Sequence, residues 1–538
     1  MFTRKPKDAK SYQLDEALLH NSHRRPTNRR EFISQGFMAG MGSVLGGSML
    51  GLLSNPQLAQ AALSSDVDLS GCNISLSGAG KIPFICFDLA GGANIAGSNV
   101  LVGQQGGQLD FLSTAGYSKQ GLPGDRVPSI TNPDSGTNDF VDTNLGLAFH
   151  ADSAMLRGIL EKAQVAAATT NGAVLPARSE NDTSNNPHNP MYGINRVGAD
   201  GQLLTLVGSR SSESGGNSMA PVSMLNLEAR PSKVDRPSDV TGLVDVGDLV
   251  GLLSQGETVA VMEAMYKISQ HKMASTSIGS GSAAQDTIIK DLVRCVYGKS
   301  ASLADQFGTP SLLDPGLDPD IVGASGVFST AEFLGDSEFR KAASIMKLVI
   351  NGYAGAGTVT MGGYDYHTGD RATGERRDLR AGRCIGACLE YAARRGVPLM
   401  IYVCSDGSVF SNGATDDSVD GGGKGVWTGD NQQTAASFFL VYNPGSMPQL
   451  IGATPEVQAQ HQQLGYMRSS GDVETASSPG ANNVNLLVEM VILNYMALHG
   501  EQNDFAARFP INGLGSAAGW DNYTAFEPIV NNFIGNPV

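Results

Sequence analysis

In Lys81-Ile82-Pro83-Phe84-Ile85-Cys86-Phe87-Asp88, six residues without a polar side chain run unbroken into a carboxylate, and this stretch decides the fold. A strand with one wet face alternates apolar and polar residues, whereas a continuous run closed by a charge reads as a strand buried on both faces. Runs of the same kind recur at Leu203 to Val207, Thr358 to Met361, Val397 to Cys404 and Phe438 to Tyr442, each followed by Gly, Asp, Ser or Asn. Helical spacing of apolar residues fills the intervals at Ala151–Val165, Thr258–Lys272, Ala284–Tyr297, Thr330–Tyr353 and Leu379–Arg395, and Asn485 to Leu498 forms a last helix. Strands alternating with helices predict an α/β fold, a three-layer α/β/α sandwich around a mainly parallel sheet.

Residues 104–145 and 170–225 are rich in Gly, Ser, Asn and Asp and lack periodicity, which predicts long loop insertions on that sheet. No repeat or linker divides the remainder, so residues 80–538 are expected to form a single α/β domain behind a polar lead-in at 62–79. With 41% hydrophobic residues the chain can bury a large core, which excludes fibrous and wholly disordered classes. A net charge of −15 argues against nucleic acid as a partner, because binding phosphates needs clustered positive charge.

Such positive charge as clusters lies in residues 1–61, which hold eight basic and four acidic side chains. There Thr27-Asn28-Arg29-Arg30-Glu31-Phe32-Ile33 precedes a Gly-rich, mildly apolar run from Gly36 to Leu53, and Ala59-Gln60-Ala61 follows with the small residues of a cleavage site. The segment resembles a twin-arginine signal peptide, so the expected partner is the twin-arginine translocation machinery and the expected location periplasmic, secreted or at the cell surface. No stretch of the mature chain approaches ~18 uninterrupted apolar residues, so no transmembrane span is expected. The six cysteines permit disulfides after export, although Cys86 and Cys404 lie in apolar runs and Cys384 and Cys388 are four apart on a helix, which reads as buried free thiols.

Ligands of open α/β sheets bind beyond the carboxyl ends of the strands. Asp88 closes the first run, Asp365 and His367 follow Met361-Gly362-Gly363-Tyr364, Asp406 follows Val403-Cys404-Ser405, and Asp430 follows Trp427-Thr428-Gly429. Carboxylate and imidazole groups suit a divalent metal (Zn, Mg, Mn or Ca), and a pair of metals would stabilise both oxygens of an ester displacement. Each aspartate has an ordinary alternative as a helix cap or turn residue. In an extended segment residues two apart share a side, so Asp365 and His367 are expected to face one way and Tyr364 and Tyr366 the other.

Phe87-Asp88-Leu89-Ala90-Gly91-Gly92-Ala93-Asn94, Phe149-His150, Gly362-Gly363-Tyr364-Asp365-Tyr366-His367, Arg394-Arg395-Gly396 and Ser405-Asp406-Gly407 occur in the order found in a bacterial family, the domain of unknown function 1501. The chain resembles that family over roughly residues 80–450, and the resemblance implies an alkaline-phosphatase-like and sulfatase-like fold. It implies Asp88, Asp365, His367 and Asp406 as metal ligands and Asp430 in the last motif loop. Ser98 is the nearest candidate for a catalytic nucleophile, with an ordinary loop serine as its alternative. Three departures stand out: Asp406-Gly407-Ser408-Val409 lacks the family's arginine, Asn431 replaces a histidine, and Asn94 stands where an aspartate is frequent. His150 or His188 could complete the site.

Two functions follow as expectations. One is an exported metal-dependent hydrolase of phosphate or sulfate esters. The other is a non-catalytic exported protein that uses a degenerate hydrolase scaffold to bind a protein partner or to self-assemble at the cell surface.

Overall fold

The computed structural model describes residues 80–128, 140–179, 186–244, 255–276 and 310–538, with scattered positions between 282 and 297. The leader at 1–61, the lead-in at 62–79 and parts of both expected insertions lie outside the described residues.

The strands are β1 (Phe84–Ala90), β2 (Val141–Leu145), β3 (Leu147–His150), β4 (Thr170–Pro176), β5 (Leu204–Gly208), β6 (Ser232–Lys233), β7 (Ala354–Gly362), β8 (Leu399–Cys404), β9 (Val409–Asp416), β10 (Lys424–Asp430) and β11 (Ala436–Tyr442), with a short hairpin near the C-terminus. Seven of them form one sheet in the order β4-β11-β8-β1-β7-β5-β6. Strand β1 runs parallel to both β7 and β8, and β5 runs parallel to β7 and β6. Only β11 reverses, pairing antiparallel with β8 and β4. The sheet is therefore mixed but mostly parallel, flanked by helices on both faces.

Side-chain alternation sorts the two faces. Phe87 and Leu89 of β1, Val359 and Met361 of β7, and Ile401 and Val403 of β8 enter one core; Phe84, Cys86, Ala356, Met400 and Tyr402 enter the other. The first core lies under α1 (Ala154–Lys162), α2 (Ser337–Ile350) and α3 (Arg371–Arg395), and the second under α4 (Val484–Leu498). Helix α4 is apolar nearly all round, as a helix packed on several sides must be. Among the described residues no helix is long and apolar enough to cross a membrane.

Several elements depart from expectation. Residues 170–176, expected within a loop, form β4, an edge strand of the central sheet. Helix α3 starts at Arg371 instead of near Leu379, because Asp370 accepts the Thr373 N–H and caps it. The helix expected over 330–353 breaks at Asp336, whose side chain caps α2 at the Glu338 N–H. Cys86, Cys384, Cys388 and Cys404 are buried free thiols, and Cys295 is disulfide-bonded.

Candidate metal centre

Strands β1, β7 and β8 deliver their following residues to one end of the sheet, where Asp88 stands in register with Thr360 and Cys404. Gly91, just beyond β1, connects the loops after β7 and β8. Its N–H donates to Asp406 Oδ1 at 2.6 Å, and a Cβ at this position would lie 2.7 Å from the Asp365 nitrogen. With φ of +121° as well, the position admits only glycine without displacement.

The five expected ligands fall into two groups. Asp365, His367 and Asp430 converge, each offering one donor atom within 4.8 Å of the other two. His367 Nε2 lies 2.9 Å from Asp365 Oδ1, and Nδ1 lies 3.6 Å from Asp430 Oδ1. The Asp365 side chain is 67% exposed, His367 30% and Asp430 35%, so the group opens to solvent. Two carboxylates and an imidazole gathered this closely are a donor set that a divalent cation fits. A neutral ring can donate a proton to only one of the carboxylates, and a divalent cation would take one oxygen from each carboxylate and one of the two ring nitrogens. Tyr364 and Tyr366 are buried, on the inward side of the same segment.

Asp430 reaches the group by a route that strand-end reasoning missed. It closes β10 of the antiparallel β9/β10 hairpin, and not a strand of the central sheet. Gly421-Gly422-Gly423 lies in the turn of that hairpin, and Lys424 behind it is buried against Glu375 at 2.8 Å.

Asp88 and Asp406 stand apart from this group. Asp88 Oδ2 accepts the Asn217 N–H at 2.7 Å, the Ser218 N–H at 3.2 Å and the Thr360 hydroxyl at 3.2 Å, while Oδ1 accepts the Ser218 hydroxyl at 2.8 Å. Both oxygens are thus engaged by protein donors, which makes Asp88 a tether closing the 209–219 loop over the strand end. Burial, and then the charge of Asp406, push its pKa above the ordinary carboxylate range against the pull of the Ser218 and Asn217 donors.

Ser98 is buried, and its hydroxyl donates to the Gln120 carbonyl at 2.9 Å. The hydroxyl thus ties one loop to another, as the ordinary loop-serine alternative expects. His150 is likewise structural, with Nε2 2.8 Å from the Arg126 carbonyl oxygen and its ring stacked on Phe140. His188, the other histidine expected to complete the site, is buried, and burial drives its pKa down to about 4. Neither histidine joins the donor group.

No protein-family profile, no curated protein and no solved structure matches the chain.

Proposed function

We propose that the chain is an exported, divalent-metal-dependent hydrolase of phosphate or sulfate esters, with the metal on Asp365, His367 and Asp430. The observation that carries this reading is their convergence from two separate segments onto one solvent-open point. The alkaline-phosphatase-like topology, membership of the domain of unknown function 1501 and the twin-arginine signal belong to the same proposal. The mostly parallel sheet and the ordered Gly-rich motifs support the first two, and Arg29-Arg30 with the mildly apolar run after it supports the third.

Three protein ligands with open positions suit a catalytic metal, which when bound would polarise an ester oxygen and acidify a water. The chain's own part is to hold and orient. Asp365 and Asp430 bracket the His367 ring, Asp406 fixes the Gly91 N–H, and Asp88 pins the 209–219 loop. With Ser98 turned into a loop, water is the attacking group in this reading.

A second reading, a non-catalytic exported scaffold, is favoured by the saturation of Asp88 and by the absent arginine and histidine at 407–409 and 431. Metal analysis of protein purified without chelators, followed by assay on aryl phosphate and aryl sulfate esters, separates the two. Stoichiometric metal with turnover supports the hydrolase. Metal without turnover supports the scaffold, and no metal rejects the assigned ligands.

A further inference from the structure

The three donors arrive on two segments, 365–367 and the end of β10, so their spacing depends on whatever fixes one segment against the other. Beneath them lie two aromatic rings. Tyr366, between Asp365 and His367, is 3% exposed, and its hydroxyl accepts the Asn94 N–H at 2.9 Å. Trp427, three residues before Asp430, is 2% exposed, with its ring centroid 6.4 Å from that of Tyr366.

Trp427 is held in turn from below. The Arg371 guanidinium, itself buried, sits 4.5 Å from the Trp427 ring centroid. Arg371 Nη2 donates to Glu375 at 2.6 Å, and the other Glu375 oxygen accepts Lys424 Nζ at 2.8 Å, from the same strand as Trp427. A desolvated guanidinium over an indole face is a strong contact, and its carboxylate partner leaves it little freedom to move. The main chain adds one tie, the Gly369 N–H donating to the Trp427 carbonyl at 2.8 Å.

We infer that Tyr366 and Trp427 are positioning residues that set the distance between the Asp365/His367 pair and Asp430, with Arg371 holding Trp427 in place. The inference rests on reading the three donors as a metal site. Neither residue is one of the three donors. They act as outer partners of metal ligands do, where substitution typically costs about 10–100-fold in affinity.

The test uses the full protein with Co²⁺ as the probe, followed by its visible absorption, which reports coordination geometry. Trp427→Leu is expected to weaken Co²⁺ binding at least about tenfold and to alter the spectrum, and Trp427→Phe to recover most of both. Tyr366→Phe removes a single hydroxyl, keeps the fold and should give a smaller loss in the same direction. Phe526→Leu, in the core on the opposite face of the sheet, controls for general destabilisation and should leave binding unchanged.

A second readout needs no metal. In protein with ¹⁵N-labelled histidine, the His367 imidazole resonance, assigned by its loss in His367→Ala, should move in Trp427→Leu and stay in Phe526→Leu. Movement without Co²⁺ binding by the unmodified protein upholds the positioning role and sinks the metal reading. Co²⁺ binding and His367 resonance both unchanged in Trp427→Leu and Tyr366→Phe overturn the inference alone.

Discussion

A carboxyl group sealed inside a protein favours its proton, and Asp378 on α3 is such a group. Burial first, and then the nearby charge of Glu375, raise its pKa to about 8, against the Asn99 amide that donates to it at 2.8 Å. Its other oxygen has no hydrogen-bond partner among the described residues. The folded pKa lies above the ordinary 3.8, so the folded state keeps a proton that the unfolded state releases. The stabilising contribution is complete below the unfolded value and is lost as pH rises through about 8. Asp378→Asn keeps an acceptor for Asn99 and removes the titration. Denaturation should then show a gain of the order of 1–3 kcal/mol near pH 8 that shrinks towards pH 5. A variant no more stable at either pH would mean that Arg371 and Lys424 already hold Asp378 ionised at no net cost.

Helix α3 illustrates what an element needs from its neighbours. A Cβ on Gly382 would fall 2.1 Å from the Met155 carbonyl oxygen of α1, so the two helices meet backbone to backbone and a methyl must separate them. Gly382→Ala should therefore destabilise by about 1–3 kcal/mol in chemical denaturation despite alanine's better helix propensity, and a stabilised variant would show that the contact relaxes freely. This balance of local and tertiary terms also explains what the sequence disclosed. The continuous apolar runs at Phe84–Cys86 and Leu399–Cys404 could only be buried strands, and Gly-Gly-Tyr-Asp-Tyr-His announced its own inward and outward faces. Strand β4 was hidden because Thr170-Asn171-Gly172 reads as turn, and its strand form depends on pairing with β11. The start of α3 was hidden because Arg371, Glu375 and Asp378 look like a solvated face until their buried partners are seen. Asp88 was legible as a strand-end carboxylate but not as a tether, since the donors that engage it lie 129, 130 and 272 residues away at Asn217, Ser218 and Thr360.

On the scale of the molecule, three buried histidines among the described residues make the fold sensitive to acid. Burial is the leading cause in each, driving His150 and His188 to about 4 and His499 to about 3, from an ordinary 6.5. A depressed histidine pKa means that the unfolded chain binds the extra proton first. The contribution of these residues is thus complete above pH 6.5 and declines as pH falls through about 4. Thermal unfolding should show Tm falling steadily over that window, with a smaller fall in His188→Gln; an unchanged slope in that variant would remove His188 from the account.

The central claim is that Asp365, His367 and Asp430 hold a divalent metal at the carboxyl end of a mostly parallel sheet, and the metal content of purified protein tests it most directly. The prediction is stoichiometric Zn, Mn, Mg or Ca in the unmodified protein. That metal should be lost in Asp365→Ala, His367→Ala and Asp430→Ala, and with chelator added to all samples the variants should differ in stability from the unmodified protein by no more than about 0.5 kcal/mol, because these side chains lie outside the core. Folded protein without metal, or metal retained by all three variants, would contradict it.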